Sequence, residues 1–296
     1  MVLTPGDHVL TLRDGRRVGY SVYGDPAGTV VLNCHGGLVS GHDAAPAAGR
    51  AAALGLCIVS PDRPGVGRTD RLPGHTMLSW VATDVVSLLA ALQIDELSVM
   101  GWSAGGQRAL AVTRGLDGRV IRCAVIAGCL PLDDPSTFRE LNRLDRTLTG
   151  LCEHAPLLAR GYFRLTGLLA HVAPRQLIRT AIRGLPGAEA DAVVAQGRWL
   201  PDILGEGARQ SPGGVDEYLT MCAPWGFAPE DVSVPVRIFQ GGADHLVPEA
   251  WGRALADRIP GASLTIFPGE GHFIALTRID EVLEYLVVGS GQPVAP

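Results

Sequence analysis

Short apolar runs bounded by turn residues alternate along this chain with stretches in which apolar residues recur every three or four positions. VLTL, VGYSVYG and TVVLNC, within residues 8–34, read as strands separated by the turn signals Asp14-Gly15 and Gly24-Asp25-Pro26. The opening predicts a hairpin feeding a buried strand. After a glycine-rich loop, ALGLCIVS (53–60), LSVMG (97–101) and CAVIAG (123–128) are continuous apolar runs, β-branched in part. Strands buried on both faces of a parallel sheet have this composition. Between them, residues 76–93 set Leu78, Val81, Val85, Leu88, Leu89 and Leu92 at helical spacing. Strands alternating with helices predict an α/β fold with right-handed crossovers and a mostly parallel sheet of about eight strands.

The alternation stops near Pro131 and resumes at PVRIFQGG, residues 235–242. The stretch between is helical in pattern. Asp134-Pro135 suits a cap and first helical position, and Leu157, Leu158, Tyr162, Leu165, Leu168 and Leu169 cluster on helical faces. The expected organisation is therefore one core domain, residues 1–134 and 226–296, carrying an inserted helical lid over 135–225. The last part returns to strand 236–240, a helix around 248–258, strand SLTIF (263–267) and a helix near 278–288. The tail GSGQPVAP reads as mobile.

Chemistry concentrates where these strands end. Gly101-Trp102-Ser103-Ala104-Gly105 follows LSVM directly and precedes a helix-like segment. A serine flanked by small residues at so tight a turn projects its hydroxyl above the sheet from a strained backbone, and the glycines avoid a clash in the turn. A hydroxyl needs a neighbouring base before it attacks a carbonyl. His272, in GEGHF, follows strand SLTIF in a glycine-flanked loop from which it can reach over the sheet; His8, His42, His75, His154 and His171 fall at no comparable strand end. Asp244, in GGADHLVP after PVRIFQ, stands at the preceding strand end and supplies the carboxylate that would fix the imidazole tautomer. Asp133 and Asp134 compete for that role from the end of CAVIAG but suit the cap of the first inserted helix better. The loop Cys34-His35-Gly36-Gly37-Leu38 offers the Gly37 N–H, which with the Ala104 N–H would hold an oxyanion. His35 is assigned to shaping that loop. Trp102, Gly36 and Leu38 are expected to line the substrate pocket.

Composition removes several alternatives. All 25 basic residues are arginine, so Schiff-base chemistry and the lysine of a phosphate-binding loop are excluded. The turn Asp62-Arg63-Pro64-Gly65-Val66-Gly67-Arg68-Thr69-Asp70 is accordingly read as locally paired charge rather than a phosphate site. A formal net charge of −5 argues against nucleic acid. No histidine or cysteine spacing suits a metal, no cofactor is expected, and the six cysteines read as free thiols. No apolar run is long enough to span a membrane, and MVLTPGDHVL lacks the features of a secretory signal, so a cytoplasmic location is expected. The expected partner is a small-molecule substrate, with a homodimer left open.

HGG at 35, DRPGVGRTD at 62, GWSAG at 101 and the Asp244 and His272 pair occur in an order that resembles the α/β-hydrolase superfamily over nearly the whole chain. The turn at 62 and the helical insertion look like the branch of esterases and proline iminopeptidases. The resemblance implies a serine hydrolase in which Ser103 attacks a carbonyl carbon through an acyl-enzyme, and the complete triad with an apolar lid able to cover a nonpolar acyl or alcohol group points to a carboxylic ester. The same residues could also act on an amide, thioester, lactone or carbon–carbon bond, promote a rearrangement, or survive in a non-catalytic binder. Iminopeptidases usually carry tryptophan after the serine. Ala104 occupies that position here, which weakens the peptidase alternative.

Overall fold

The computed structural model describes residues 3–287, so the tail expectation lies outside the described residues. An eight-stranded sheet runs β1 (Gly6–Thr11), β2 (Arg17–Gly24), β3 (Thr29–Cys34), β4 (Leu56–Pro61), β5 (Leu97–Trp102), β6 (Val120–Ile126), β7 (Val236–Gly241) and β8 (Ser263–Phe267) in chain order. In space the order is β1-β2-β4-β3-β5-β6-β7-β8. β1 pairs antiparallel with β2, and β2 antiparallel with β4; every later pairing is parallel. Burial explains the sequence texture. β4 and β5 are buried at every residue and read as unbroken apolar runs, whereas edge strand β1 alternates with water and needs polar residues.

Helices cover both faces. Trp80, Leu88, Leu89, Leu110, Val112 and Leu255 join one core cluster, from helices Met77–Trp80, Val86–Leu92, Ala104–Gly115 and Glu249–Arg258. Ala51, Val282, Leu283 and Leu286 join the cluster on the other face, from Ala48–Ala53 and Ile279–Leu286. The expected helix over 76–93 is present but passes through a π-helical turn at Val81–Val85. Residues 53–55, expected to open a strand, instead close the helix Ala48–Ala53; Gly55 takes φ +64° and the strand begins at Leu56.

Between β6 and β7 the chain forms the helices Pro135–Glu140, Arg143–His154, Pro156–Val172, Pro174–Ala181, Gly187–Ala195, Trp199–Gly207 and Ser211–Cys222. Three of them bear on the strand-end loops, one of them, Ser211–Cys222, through Glu217 bonded to Arg63. The Ser40 N–H donates to the Ile203 carbonyl, and a Cβ on Gly207 would lie 2.2 Å from the Leu38 carbonyl oxygen. The helix Gly187–Ala195 packs on Ile274–Thr277, immediately after His272. No described helix is long and apolar enough to cross a membrane.

Candidate active site

All the parallel strands end on one edge of the sheet, and an α/β sheet binds ligands outside those carboxyl ends. Ser103 sits where β5 becomes the helix Ala104–Gly115, at φ +57° and ψ −125°. Its N–H donates to the Ile126 carbonyl at 2.8 Å, tying the turn to β6. No side chain fits inside this turn. A Cβ on Gly105 would stand 2.0 Å from the Cys34 carbonyl oxygen, and one on Gly101 2.1 Å from that of Gly105. Both glycines let strand, turn and helix approach within backbone contact, leaving the serine as the residue that turns outward.

His272 and Asp244 come together as their spacing implied. His272 Nδ1 lies 2.8 Å from Asp244 Oδ2, and both residues are buried. Asp244 Oδ1 accepts from the Leu246 and Val247 N–H groups at 2.8 and 2.9 Å, so each carboxylate oxygen has its own donors and the group cannot rotate freely. A carboxylate accepts and does not donate, so Nδ1 carries the hydrogen and Nε2 becomes the accepting nitrogen. Trp102 braces the histidine from beneath. Its Nε1–H donates to the His272 carbonyl at 2.9 Å and its ring centroid lies 5.4 Å from the imidazole. Asp134 caps the helix Pro135–Glu140, accepting from the Ser136 N–H at 2.6 Å, and Asp133 is exposed.

A cavity of about 300 Å³ opens over this edge, and Ser103, His272, Trp102, Gly36, Gly37, Leu38 and Ala104 all line it. A Cβ on Gly37 would lie 3.4 Å from the Ala104 Cβ, which puts the two proposed oxyanion donors side by side. The Ala104 N–H also begins a helix, where unsatisfied donors and the helix dipole favour negative charge. The upper walls are mainly apolar, with Leu144, Leu200, Leu204 and Met221 from the inserted helices. Glu217 and one polar island interrupt them. Asp145 accepts from Tyr218 Oη at 2.6 Å and from Asn142 Nδ2 at 2.7 Å, and all three residues face the cavity.

The loop Cys34-His35-Gly36-Gly37-Leu38 rests on a buried charged bracket. His35 is fully buried: Nδ1 donates to the Gly36 carbonyl at 2.9 Å and Nε2 accepts from the Arg63 N–H at 3.1 Å. Burial, with the Arg63 charge beside it, holds the imidazole well below its ordinary value, so the ring is neutral and shapes the loop. Arg63 donates to the carbonyls of His35 and Gly36, the latter at 2.8 Å, and through Nε to Glu217 Oε1 at 2.9 Å. Burial alone would raise the Glu217 carboxyl; Arg63 and Arg108 outweigh it and hold the group far down in the acid range. The turn at 62 is thus locally paired, with Asp62 accepting from the Gly41 and Arg68 N–H groups at 2.9 and 3.1 Å.

Sequence reasoning missed Glu217 and also Glu189, a buried residue of the inserted helix Gly187–Ala195 that accepts from the Gly271 and Phe273 N–H groups at 2.5 and 3.1 Å. Neither acid stands in a motif. Each is separated from its partners by 82 to 154 positions, so no local signal marks it.

The sheet order and a loop site at the carboxyl ends of its strands define a hydrolase-type α/β fold, with the serine-bearing turn at the end of β5. The chain belongs to the alpha/beta hydrolase family, whose sequence model matches residues 12–285. It is 31% identical over 226 residues to the pimeloyl-[acyl-carrier protein] methyl ester esterase of Aromatoleum aromaticum, covering 74% of this chain and 81% of that one. It is 29% identical over 227 residues to the putative carbamate hydrolase RutD of Caulobacter sp., covering 74% and 75%. In fold it is similar to an esterase from Exiguobacterium antarcticum, with a TM-score of 0.69 at 16% identity over 96% of this chain and 98% of that one.

Proposed function

We propose that the protein hydrolyses a carboxylic ester of a small, partly apolar substrate through an acyl-enzyme on Ser103. The observation that carries this reading is the Asp244-held imidazole of His272 lining the same apolar cavity as the elbow serine. His272 Nε2 takes the Ser103 proton as Oγ attacks the carbonyl carbon, and the Gly37 and Ala104 N–H groups hold the oxyanion. The imidazolium then gives that proton to the departing alkoxide. Water, deprotonated in turn by His272, attacks the acyl carbon, releases the acid and restores Ser103. Asp244 keeps the tautomer and offsets the positive ring.

Residues 135–225 act in this reading as a lid whose leucines cover the acyl or alcohol part, while the Asp145, Tyr218 and Asn142 island meets one polar group of the substrate. The apolar walls and the methyl ester esterase among the relatives support an ester over more polar substrates. Six free cysteines, five of them buried, support a reducing, cytoplasmic setting. A fluorophosphonate probe tests the nucleophile: wild type should label at Ser103, and Ser103→Ala and His272→Ala should not. Labelling that persists in both variants would sink the proposal. Matched ester, amide, thioester and lactone substrates then set the bond class, with activity expected to drop steeply from ester to amide.

A further inference from the structure

Resting on the reading of His272 as the base, we infer that Glu189 is a positioning residue for it, supplied by the inserted helices. Its carboxylate spans the histidine: Oε1 accepts from the N–H of Gly271, the residue before, and Oε2 from that of Phe273, the residue after. The two bonds fix the backbone on either side of His272, as Trp102 fixes its carbonyl from below. The ring is thus held at Nδ1 by Asp244 and its backbone by two further side chains, which limits where Nε2 can point in the cavity it shares with Ser103.

The fit is close on every side. Gly271 leaves little room for a side chain, because a Cβ there would lie 3.0 Å from Glu189 Oε2 and 3.2 Å from Pro186 Cδ. Glu189 is fully buried with no basic side chain bonded to it, and its hydrogen-bond donors are those two amides. Burial raises its carboxyl above the ordinary value, the two amides pull it back, Asp244 repels its charge and a protonated His272 favours it. Aromatic rings of Trp102 and Phe273 pack on the imidazole, and Glu270 of the same loop is occupied by Thr277 and Arg278. The acids bonded next to the ring are Asp244, on Nδ1 from the loop after β7, and Glu189, on the amides either side of His272, while Asp145 and Glu217 line the same cavity. Two roles follow for Glu189: a clamp on the loop and a second negative charge near the imidazolium that forms during attack.

The test separates these roles with two variants assayed on one activated ester. Glu189→Gln keeps the shape, removes the charge and sets its NH2 donor against one of the two backbone N–H donors; kcat should fall roughly 10- to 100-fold with KM within about twofold, and the acidic limb of kcat/KM should move to lower pH. Glu189→Asp keeps the charge but shortens the reach, so kcat should fall while the limb stays. Backbone amide exchange at Gly271 and Phe273 should quicken in both. Activity lost only in proportion to a lowered melting temperature, with the pH limb unmoved in Glu189→Gln, would overturn the inference, as would wild-type turnover in both variants. Ser103→Ala is run beside them. If it remains active, the parent reading fails; if it is dead while both Glu189 variants match wild type, only the clamp fails.

Discussion

Two regions meet at the cavity and contribute different things. The loops after β3, β5, β7 and β8 bring the atoms suited to reaction: the Gly37 N–H, Ser103 with the Ala104 N–H, Asp244 and His272. The inserted helices bring apolar walls and two buried carboxylates, Glu217 and Glu189, bonded to an arginine and to backbone beneath those loops. Strand register fixes the first set from below, and helix packing fixes the second from above. In the proposed reading the reacting groups come from the strand-end loops, while their alignment depends on both regions.

The sheet-borne set should show the largest effects. Ser103→Ala and His272→Ala should each lower kcat/KM on an activated ester by roughly 10⁴-fold or more, and the double variant should be little worse than either, because the groups work as a unit. Equal, additive losses would show that they do not. Asp244→Asn comes next. It can present an N–H to Nδ1 and trap the wrong tautomer, so a loss of roughly 10³- to 10⁴-fold is expected with the melting temperature nearly kept. A fall below tenfold would mean that another group holds the ring.

Replacing Arg63 tests the contribution from above in stability rather than rate. Arg63→Met leaves Glu217 facing Arg108 at 3.5 Å alone and frees the carbonyls of His35 and Gly36. Removing one partner of a buried ion pair costs about 3–5 kcal/mol, which urea unfolding would read as a lower midpoint at unchanged slope. Ester turnover should fall as well, since the Gly37 loop loses its brace. An unchanged midpoint would mean that the bracket is ornamental to the fold.

The same division separates what was legible in the sequence from what was not. Ser103, Asp244 and His272 each follow an apolar strand within a few residues, and a strand end is a position that a short motif can mark. His35 was legible for the same reason: its loop begins where β3 ends, and a buried ring there has backbone to bond. The helix Ala48–Ala53 was missed because its alanines and glycine carry no apolar periodicity. Glu189 and Glu217 were missed for a deeper reason. An acid on a helix looks the same in sequence whether it faces water or a buried amide, and only the tertiary docking of that helix decides which.

Asp43 gives the smallest and most pH-specific test of the oxyanion side. It lies in the 3-10 turn Gly41–Ala47 after β3, accepts from the Gly36 N–H at 2.9 Å and from Asn33 Nδ2 at 2.7 Å, and has no basic side chain bonded to it among the described residues. Burial is the largest influence, and it pushes the carboxyl up to about 6 despite those donors. A group that binds its proton more tightly folded than unfolded stabilises the fold while protonated, so this contribution is full below the unfolded value near 3.8 and is lost as pH rises through about 6. The span of roughly two units corresponds to at most about 3 kcal/mol, less whatever water reaching the carboxyl screens. Asn cannot ionise. Asp43→Asn should therefore gain on wild type between pH 4 and 6 in urea unfolding and hold a constant difference above that, and a difference that does not change with pH would show that Asp43 keeps its charge as easily in the fold as out of it.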